Sequence, residues 1–233
     1  MKKFLEKNEL FLSLFLIILY VVINSYCMQN FGLYSYKSSI INTVFSIFLI
    51  ILMIVLKRTS YYGITKVKNL KEYLYFFPLL LIISVNLWNG INISNKANEI
   101  VFYIITMLNI GFIEEIIFRG FLFKMMAKDN VKSAIIVSSI TFGIGHIINL
   151  FNGADVILTL FQVVYAISIG FLFVTIFYKS KSLIPCIITH SLVNALSVFN
   201  IDNTLSMYIA PIFLTIVPIV YAIYIKNNVK EKI

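Results

Sequence analysis

Residues 114–119 read Glu-Glu-Ile-Ile-Phe-Arg and lie in the middle of an otherwise apolar stretch of the chain. Two adjacent carboxylates are costly to place at the depth of a lipid bilayer unless they have partners or a function. Of the 10 acidic residues in the chain, only Glu114 and Glu115 lie deep inside an apolar segment. Arg119 and both histidines, His146 and His190, also lie inside apolar segments. Scarce ionisable groups are therefore concentrated where their burial is most expensive.

The composition around this stretch is that of an integral membrane protein. The chain has 233 residues, of which 60% are hydrophobic and 12% charged, and its mean hydropathy is +0.94. Soluble domains are only about half apolar and about one quarter charged. We therefore predict an all-α, polytopic membrane protein that forms a single integral membrane domain over residues 1–233.

The number of membrane passes follows from the apolar runs that are long enough to cross a bilayer, roughly 17 to 25 residues each. Reading the chain in this way predicts about eight transmembrane helices, which leave no room for a large soluble domain. The predicted segments are 10–28, 39–56, 74–91, 100–123, 133–149, 156–178, 183–199 and 205–225.

The net charge of +9 is distributed in a way that favours a membrane topology over nucleic-acid binding. The loops predicted on one side of the membrane contain only Lys37 and Lys96. Because cytoplasmic segments carry the excess of basic residues, we expect both termini in the cytoplasm of a multi-pass cell-membrane protein, with the site reached from the cytoplasm or laterally through lipid. The basic residues of the other side are Lys2, Lys3, Lys7, Lys57, Arg58, Lys66, Lys68, Lys71, Lys124, Lys128, Lys132, Lys179, Lys181, Lys226, Lys230 and Lys232.

The spacing of the charged residues within 114–119 predicts that the two carboxylates face different directions and have different roles. On a helix, Glu115 and Arg119 are four residues apart and share a face, so they can form an ion pair. Glu114 points about 100° away around the same helix. One carboxylate is thus neutralised by the guanidinium, and the other remains available.

Two further polar clusters occur in later apolar segments. The first, Phe142-Gly143-Ile144-Gly145-His146, combines an imidazole with glycines that allow close approach of another helix or of a substrate backbone. The second begins at His190 and ends at Asn194, which are four residues apart and share a helical face. Each cluster puts polar groups where lipid would not tolerate them.

The depth of each cluster in the membrane indicates that the three belong together. At about 1.5 Å per residue, Glu114 lies about 15 Å, His190 about 14 Å and His146 about 21 Å from the lysines at the cytoplasmic end of its segment. All three depths fall near the middle of a hydrocarbon core that is about 30 Å thick. We therefore predict one polar cavity at mid-membrane.

Such a cavity has the groups needed to hydrolyse an amide. A free carboxylate can act as a base for water, and imidazole and carboxamide groups can donate to a developing oxyanion. A glutamate with two histidines is also a ligand set for zinc, here Glu114, His146 and His190, although the chain has no His-Glu-x-x-His motif. Both mechanisms are open from the residues alone.

The ordered set of motifs resembles a known family. Glu-Glu-x-x-x-Arg at 114–119, Phe-x-x-x-His at 142–146 and His-x-x-x-Asn at 190–194 are similar to the three signature motifs of the CPBP family. That family comprises the CAAX prenyl proteases of type 2 (Rce1-like) and the bacterial Abi and bacteriocin-processing relatives. The resemblance covers about residues 100–200, and no signature position departs from the family pattern.

This resemblance implies an intramembrane endopeptidase and assigns roles to the matching positions. Glu114 would activate water together with His146, and His190 and Asn194 would form the oxyanion hole. Glu115 and Arg119 would hold the first carboxylate in place, with Phe142 in support. A divalent metal such as zinc and a metal-free glutamate mechanism are both compatible with the family.

Other interpretations of the same residues compete with this one. Glu115 and Arg119 could be a purely structural ion pair, either histidine or Asn194 could be an interhelical hydrogen-bonding group, and Phe142 could simply pack in the core. At the level of the whole protein, the alternatives are a membrane immunity protein that binds a peptide without cutting it, and a proton-coupled transporter.

For the substrate of a protease, the abundance of Ile, Asn and Lys indicates an AT-rich bacterial genome. Prenylated CAAX proteins are not expected there. We expect a membrane-associated protein or a leader or signalling peptide as the partner, with a role in peptide maturation, export or bacteriocin immunity.

Overall fold

The computed structural model describes residues 8–66, 76–203 and 205–231, and all regular structure in these ranges is helical. This confirms the predicted all-α, polytopic membrane fold. Part of the predicted charge pattern lies outside the described residues, as do the first two residues of the predicted segment 74–91. The basic residues concerned are Lys2, Lys3, Lys7, Lys68, Lys71 and Lys232.

Each of the eight predicted apolar segments contains a helix. We number them in chain order, and α4 and α5 each include the shorter helical pieces that continue them. The helices are α1 (Glu9–Asn30), α2 (Tyr36–Val55), α3 (Leu79–Ser84), α4 (Ala97–Met126), α5 (Val131–Phe151), α6 (Val156–Ser180), α7 (Ile184–Leu196) and α8 (Ala210–Asn228).

Six of these helices, and not eight, are long and apolar enough to cross a membrane among the described residues. The exceptions are α3 and α7. A bilayer core of about 30 Å requires about 20 helical residues. The α3 helix has 6 residues and continues for 3 more as a tighter helical turn, and α7 has 13 residues with a similar turn of 3. The sequence predicted about eight spans, and two of the predicted segments form shorter helices among the described residues, because apolar length in the sequence does not guarantee helical length.

The α4 helix is central to the bundle. It packs against α2 and α7, while α6 packs against α5 and α8. The contact between α4 and α7 is close because of Gly111: a β-carbon there would lie 2.7 Å from the backbone of Ser191. Ser191 also donates a hydrogen bond of 3.0 Å to the Leu108 carbonyl across this contact. Small residues at such crossings let helix backbones approach in membranes.

The two ends of the bundle differ in charge and are each held together by polar contacts. At the end we call lysine-rich, where α1 begins and α2 and α4 end, the Glu9 carboxylate pairs with both Arg58 and Lys128. At the opposite, lysine-poor end, Gln29 donates to Asn152 at 3.0 Å. The described basic residues of the lysine-rich end are Lys57, Arg58, Lys66, Lys124, Lys128, Lys132, Lys179, Lys181, Lys226 and Lys230, against Lys37 and Lys96 at the lysine-poor end.

The outer surface of the bundle is apolar, as expected for contact with lipid. Large apolar side chains on α1, α2 and α8 are exposed, for example Phe11 at 71%, Val44 at 59% and Val220 at 61%. Exposed apolar surface on this scale is unusual for a soluble monomer and marks a membrane-facing or partner-facing surface. The polar residues discussed below face the interior of the bundle.

The crossing of α5 and α6 provides a test of this packing. A β-carbon at Gly143 would lie 2.3 Å from the Ile167 side chain and 2.9 Å from the Val163 carbonyl, whereas one at Gly145 would meet nothing within 4 Å. We therefore expect Gly143→Ala to lower the free energy of unfolding by about 1–3 kcal/mol. Gly145→Ala, on the same helix, is the matched control. Thermal denaturation in detergent measures both, and equal midpoints for the two variants would contradict the predicted close crossing.

Candidate active site

Glu114 lies on α4 with its carboxylate held from two sides. Its side chain faces the interior and is 9% exposed. Oε1 accepts a hydrogen bond of 2.5 Å from the hydroxyl of Tyr20 on α1. Oε2 lies 3.3 Å from Nε2 of His190 on α7. Three helices thus fix the position of one carboxylate inside the bundle.

Glu115 forms the predicted ion pair with Arg119 and also binds His190. Oε1 of Glu115 accepts from Nη1 of Arg119 at 2.9 Å and is 2.8 Å from Nδ1 of His190. Glu115 and Arg119 are both completely buried. Because the Arg119-bound carboxylate oxygen is an acceptor, Nδ1 of His190 carries the proton and donates. Glu115 therefore orients the imidazole that contacts Glu114.

The backbone changes its geometry directly after Glu115. Residues Ile116–Phe123 form a π-helical stretch, which is wider than an α-helix and is often found at functional sites. All of its side chains are buried. This stretch carries Arg119 into the interior while keeping it within reach of Glu115.

Arg119 is stabilised mainly by aromatic rings on its remaining faces. Its Nε and Nη2 atoms are buried and have no hydrogen-bond partner among the described residues. The guanidinium carbon lies 4.1 Å from the centre of the Phe142 ring and 5.8 Å from that of Phe173. A cation over an aromatic face gains electrostatic energy that grows when water is excluded. The Arg119 position thus depends on Phe142 as well as on Glu115.

Phe142 connects the second sequence motif to the third. Its ring contacts His146 and His190 edge-on, with centroid distances of 5.1 Å and 5.6 Å. Nδ1 of His146 is 3.0 Å from the Phe142 carbonyl oxygen. A carbonyl can only accept, so Nδ1 of His146 is the donor and its Nε2 is left as the basic nitrogen. The three motifs predicted to meet at one depth are in contact in the folded protein.

A cavity of about 570 Å³ brings the predicted catalytic side chains together. Glu114, His146, His190 and Asn194 all line it. The carboxamide of Asn194 makes no hydrogen bond to the described residues, so it is available to a ligand. Size and lining fit a ligand site, which in proteins is typically an apolar cleft of 300–1,000 Å³ with a few polar groups.

The cavity extends toward the lysine-poor end of the bundle, whereas the sequence led us to expect access from the cytoplasm or laterally through lipid. Its wall extends from Glu114 to the loops at the lysine-poor end, including Leu33, Asn152 and Ala154. The lysine-rich end, which is the predicted cytoplasmic one, is separated from the cavity by Phe118 and Phe173, which are 3% and 0% exposed. Sequence depth alone could not reveal which end of the bundle was filled by aromatic rings.

The residues predicted as metal ligands match a metal site in chemistry but not in arrangement. His146 and His190 each have Nδ1 bonded to an acceptor, which leaves Nε2 as the ligating atom, as is usual in zinc sites. Among the described residues, however, no group of three His, Cys, Asp or Glu side chains is arranged to hold a metal ion. Glu114 is instead bonded to Tyr20.

Tyr20 is the site residue that the sequence did not reveal. It is 5% exposed, and its ring stacks on that of Phe45 at a centroid distance of 6.5 Å. In the sequence it is one of 14 tyrosines and lies 94 residues from Glu114, in a helix with no polar motif. The only available signal was a tyrosine near the middle of an apolar segment, where its hydroxyl needs a partner.

Comparison with known protein families agrees with the motifs. Residues 96–196 match the family described as type II CAAX prenyl endopeptidase Rce1-like. No curated protein and no solved structure matches the chain. The matched segment contains all the signature residues from Glu114 to Asn194. Residues 96–196 are thus similar to the CAAX protease family, which supports the resemblance that the motifs indicated.

Similarity of this segment to the Rce1-like family supports an intramembrane protease of the CAAX type. A protease of this kind acts on a peptide or protein substrate while residing in a lipid bilayer. The six apolar helices agree with a multi-pass membrane protein.

Removing the Tyr20 hydroxyl should reduce activity without unfolding the protein. Tyr20→Phe keeps the ring and its contact with Phe45 but deletes the donor to the Glu114 carboxylate. Hydrogen bonds to charged groups contribute about 1.5–3 kcal/mol, so the cleavage rate should fall about tenfold to hundredfold. Tyr26→Phe, on an exposed position of the same helix, is the control. Equal rates for the two variants would show that Tyr20 does not position Glu114.

Breaking the buried ion pair should destabilise the protein strongly. Arg119→Met leaves the buried Glu115 carboxylate without its cation, which typically costs about 3–5 kcal/mol. In the double variant Glu115→Gln with Arg119→Met the loss should be smaller, because no charge is stranded and the amide oxygen can still accept from His190. Denaturation midpoints in detergent measure both effects. A single variant as stable as the double one would refute this account.

Proposed function

We propose that the protein is an intramembrane endopeptidase that hydrolyses a peptide bond of a membrane-associated protein or of a leader or signalling peptide. The single observation that carries this proposal is the Glu114 carboxylate, fixed by Tyr20 and His190 at the wall of a 570 Å³ cavity that also contains His146 and Asn194. A carboxylate with a purely structural role would be expected to be packed against protein on all sides. Glu114 faces a space large enough for substrate.

In the proposed reaction, Glu114 and His146 activate the water nucleophile. The carboxylate accepts a proton from water as the water oxygen bonds to the carbonyl carbon of the substrate. Nε2 of His146 is the free basic nitrogen of its ring and can accept a hydrogen bond from the same water. Tyr20 and His190 restrain the carboxylate, so less orientational freedom is lost when the water is bound.

Asn194 and His190 are proposed to stabilise the oxyanion formed by this attack. The Asn194 carboxamide is free to donate from Nδ2. In this role both ring nitrogens of His190 carry protons: Nδ1 donates to Glu115, and Nε2, which lies 3.3 Å from Glu114, donates to the developing negative charge. The tetrahedral intermediate then collapses as the bond from carbon to nitrogen breaks, and the proton held by Glu114 passes to the leaving amine. Donors preset around the oxyanion are usually the largest contribution to such reactions.

We infer a metal-free form of this mechanism. A metal-dependent form needs Glu114, His146 and His190 to converge on one ion, and the described residues contain no such convergent group. The glutamate form needs only a carboxylate, a second hydrogen-bonding group for water and two oxyanion donors. Each of these is supplied by a residue that lines the cavity.

We further propose that the protein resides in the cell membrane with both termini in the cytoplasm. The described basic residues support this orientation, because they are concentrated at the end of the bundle where α1 begins and α8 ends.

Cleavage by the purified protein in detergent tests the proposed chemistry. With a pool of membrane-associated proteins and leader peptides as substrate, we expect wild-type protein to cleave and Glu114→Gln and His146→Ala to lose activity by at least about a hundredfold, the usual contribution of general acid–base catalysis. Glu99→Gln, at the beginning of the same helix, is the matched control and should cleave normally. Adding a chelator should leave the wild-type rate unchanged.

The possible outcomes separate the alternatives. Turnover by Glu114→Gln at the wild-type rate would eliminate the proposed mechanism. Cleavage that requires Glu114 but is abolished by the chelator would favour metal catalysis. Binding of a peptide by wild-type protein without any cleavage would favour a non-catalytic peptide-binding or immunity role.

A further inference from the structure

The mouth of the cavity is lined by side-chain amides. Asn24 on α1, Asn149 and Asn152 at the end of α5 and Gln162 near the beginning of α6 all contribute to its wall. We call these four residues the carboxamide mouth. They come from three different helices, so the folded bundle assembles them at its lysine-poor end. None of them belongs to the three sequence motifs.

Part of the hydrogen-bonding capacity of this mouth is unused. Nδ2 of Asn149 donates to Oε1 of Gln162 at 2.9 Å, and Oδ1 of Asn152 accepts from Gln29 at 3.0 Å. Oδ1 of Asn24 and Nδ2 of Asn152 are buried and have no hydrogen-bond partner among the described residues. The mouth therefore contains at least one unpaired acceptor and one unpaired donor. An unpaired buried polar atom is unfavourable unless a ligand or water binds it.

These unpaired groups match the chemistry of a peptide backbone. Each peptide unit has one N–H donor and one C=O acceptor. Apart from Glu114 and the two imidazoles, the described wall of the cavity contains no acidic, basic or imidazole side chain. A charged side chain in the mouth would have to be desolvated without a partner, which is strongly unfavourable. The occupant that fits is an uncharged stretch of extended peptide.

The position of the carboxamide mouth also indicates the side of the membrane from which that peptide enters the cavity. It opens among the loops of the lysine-poor end, whose described basic residues are only Lys37 and Lys96. Segments on the cytoplasmic side of a membrane carry the excess of Lys and Arg. The lysine-poor end is therefore the outer face, and the aromatic side chains of Phe118 and Phe173 separate the cavity from the cytoplasmic face.

We propose that the carboxamide mouth is a substrate-binding subsite for an uncharged, extended peptide segment that enters from the extracytoplasmic face of the membrane. This rests on the proposed function in naming the occupant as a substrate. The segment hydrogen-bonds to Asn24 and Asn152 and extends inward to Glu114. The class of substrate is thus one that is exported, or that exposes its cleavage site outside the cytoplasm.

The entry side is tested by cysteine labelling in intact cells. The two native cysteines, Cys27 and Cys186, are buried and can be replaced by alanine to give a cysteine-free background. Ala154→Cys then measures whether the reagent reaches the mouth of the cavity. Asp129→Cys, an exposed position at the lysine-rich end, is the matched control. A membrane-impermeant maleimide should label the first in intact cells and the second only after permeabilisation. The reverse pattern, equal labelling, or no labelling at residue 154 would overturn the proposed entry side.

The subsite is tested by peptide binding to Glu114→Gln protein, in which turnover does not interfere. The probe is a fluorescent, terminally capped peptide of alternating Ser and Val, and its counterpart has Asp and Lys in place of Ser. The uncharged peptide should bind more tightly, and Asn24→Leu and Asn152→Leu should each raise its Kd by about fivefold to tenfold, as expected for the loss of one hydrogen bond. Asn30→Leu, on α1 but outside the cavity, should leave the Kd unchanged.

The outcomes of the binding experiment are independent of catalysis. Equal or absent binding of the two peptides, or unchanged binding by both mouth variants, would refute the subsite. Binding with the expected preferences in a protein that never cleaves would support the subsite and refute the protease mechanism. Elution profiles and denaturation midpoints of each variant establish that it is folded, and either mouth variant alone suffices if the other is not.

Discussion

The arrangement of the interior depends on one buried interaction, in which Oε1 of Glu115 binds both the guanidinium of Arg119 and the imidazole of His190. Placing any of these groups in the interior alone would carry a penalty of several kcal/mol. Together they neutralise one another and join α4 to α7. The contact is only possible because Gly111 lets the two helices come close together. The ion pair and the glycine crossing are thus two parts of the same constraint.

This constraint also defines what Glu114 can do. Because Glu115 takes up Arg119 and fixes one nitrogen of His190, the adjacent carboxylate is left without a cation of its own. It is held by a neutral hydroxyl and by a loose contact to His190. Neighbouring residues with the same side chain therefore have different environments. One carboxylate is used for structure, and the other faces the cavity.

Several of these features could be predicted from the sequence because they follow from local spacing. The Glu115–Arg119 pair reflects helical periodicity, and the meeting of the three motifs follows from counting residues to the nearest lysines. The lengths of the individual helices could not be predicted so well. Apolar residues in α3 and α7 satisfy burial inside the bundle as readily as contact with lipid, so hydropathy does not fix the length of a helix. Tyr20 and the open end of the cavity depend on how distant helices pack, for which a single sequence has no local signal.

The hydrogen bond from Tyr20 has a consequence for the size of the functional unit. The family match begins at residue 96, whereas Tyr20 belongs to the first helix of the chain. The segment that matches the family therefore contains the Glu114 carboxylate but not the Tyr20 hydroxyl that restrains it. A fragment of residues 96–196 would contain Glu114 without Tyr20. If this segment were joined to other flanking helices, the Glu114 carboxylate would be more mobile. The proposed active site therefore extends beyond the segment that matches the family.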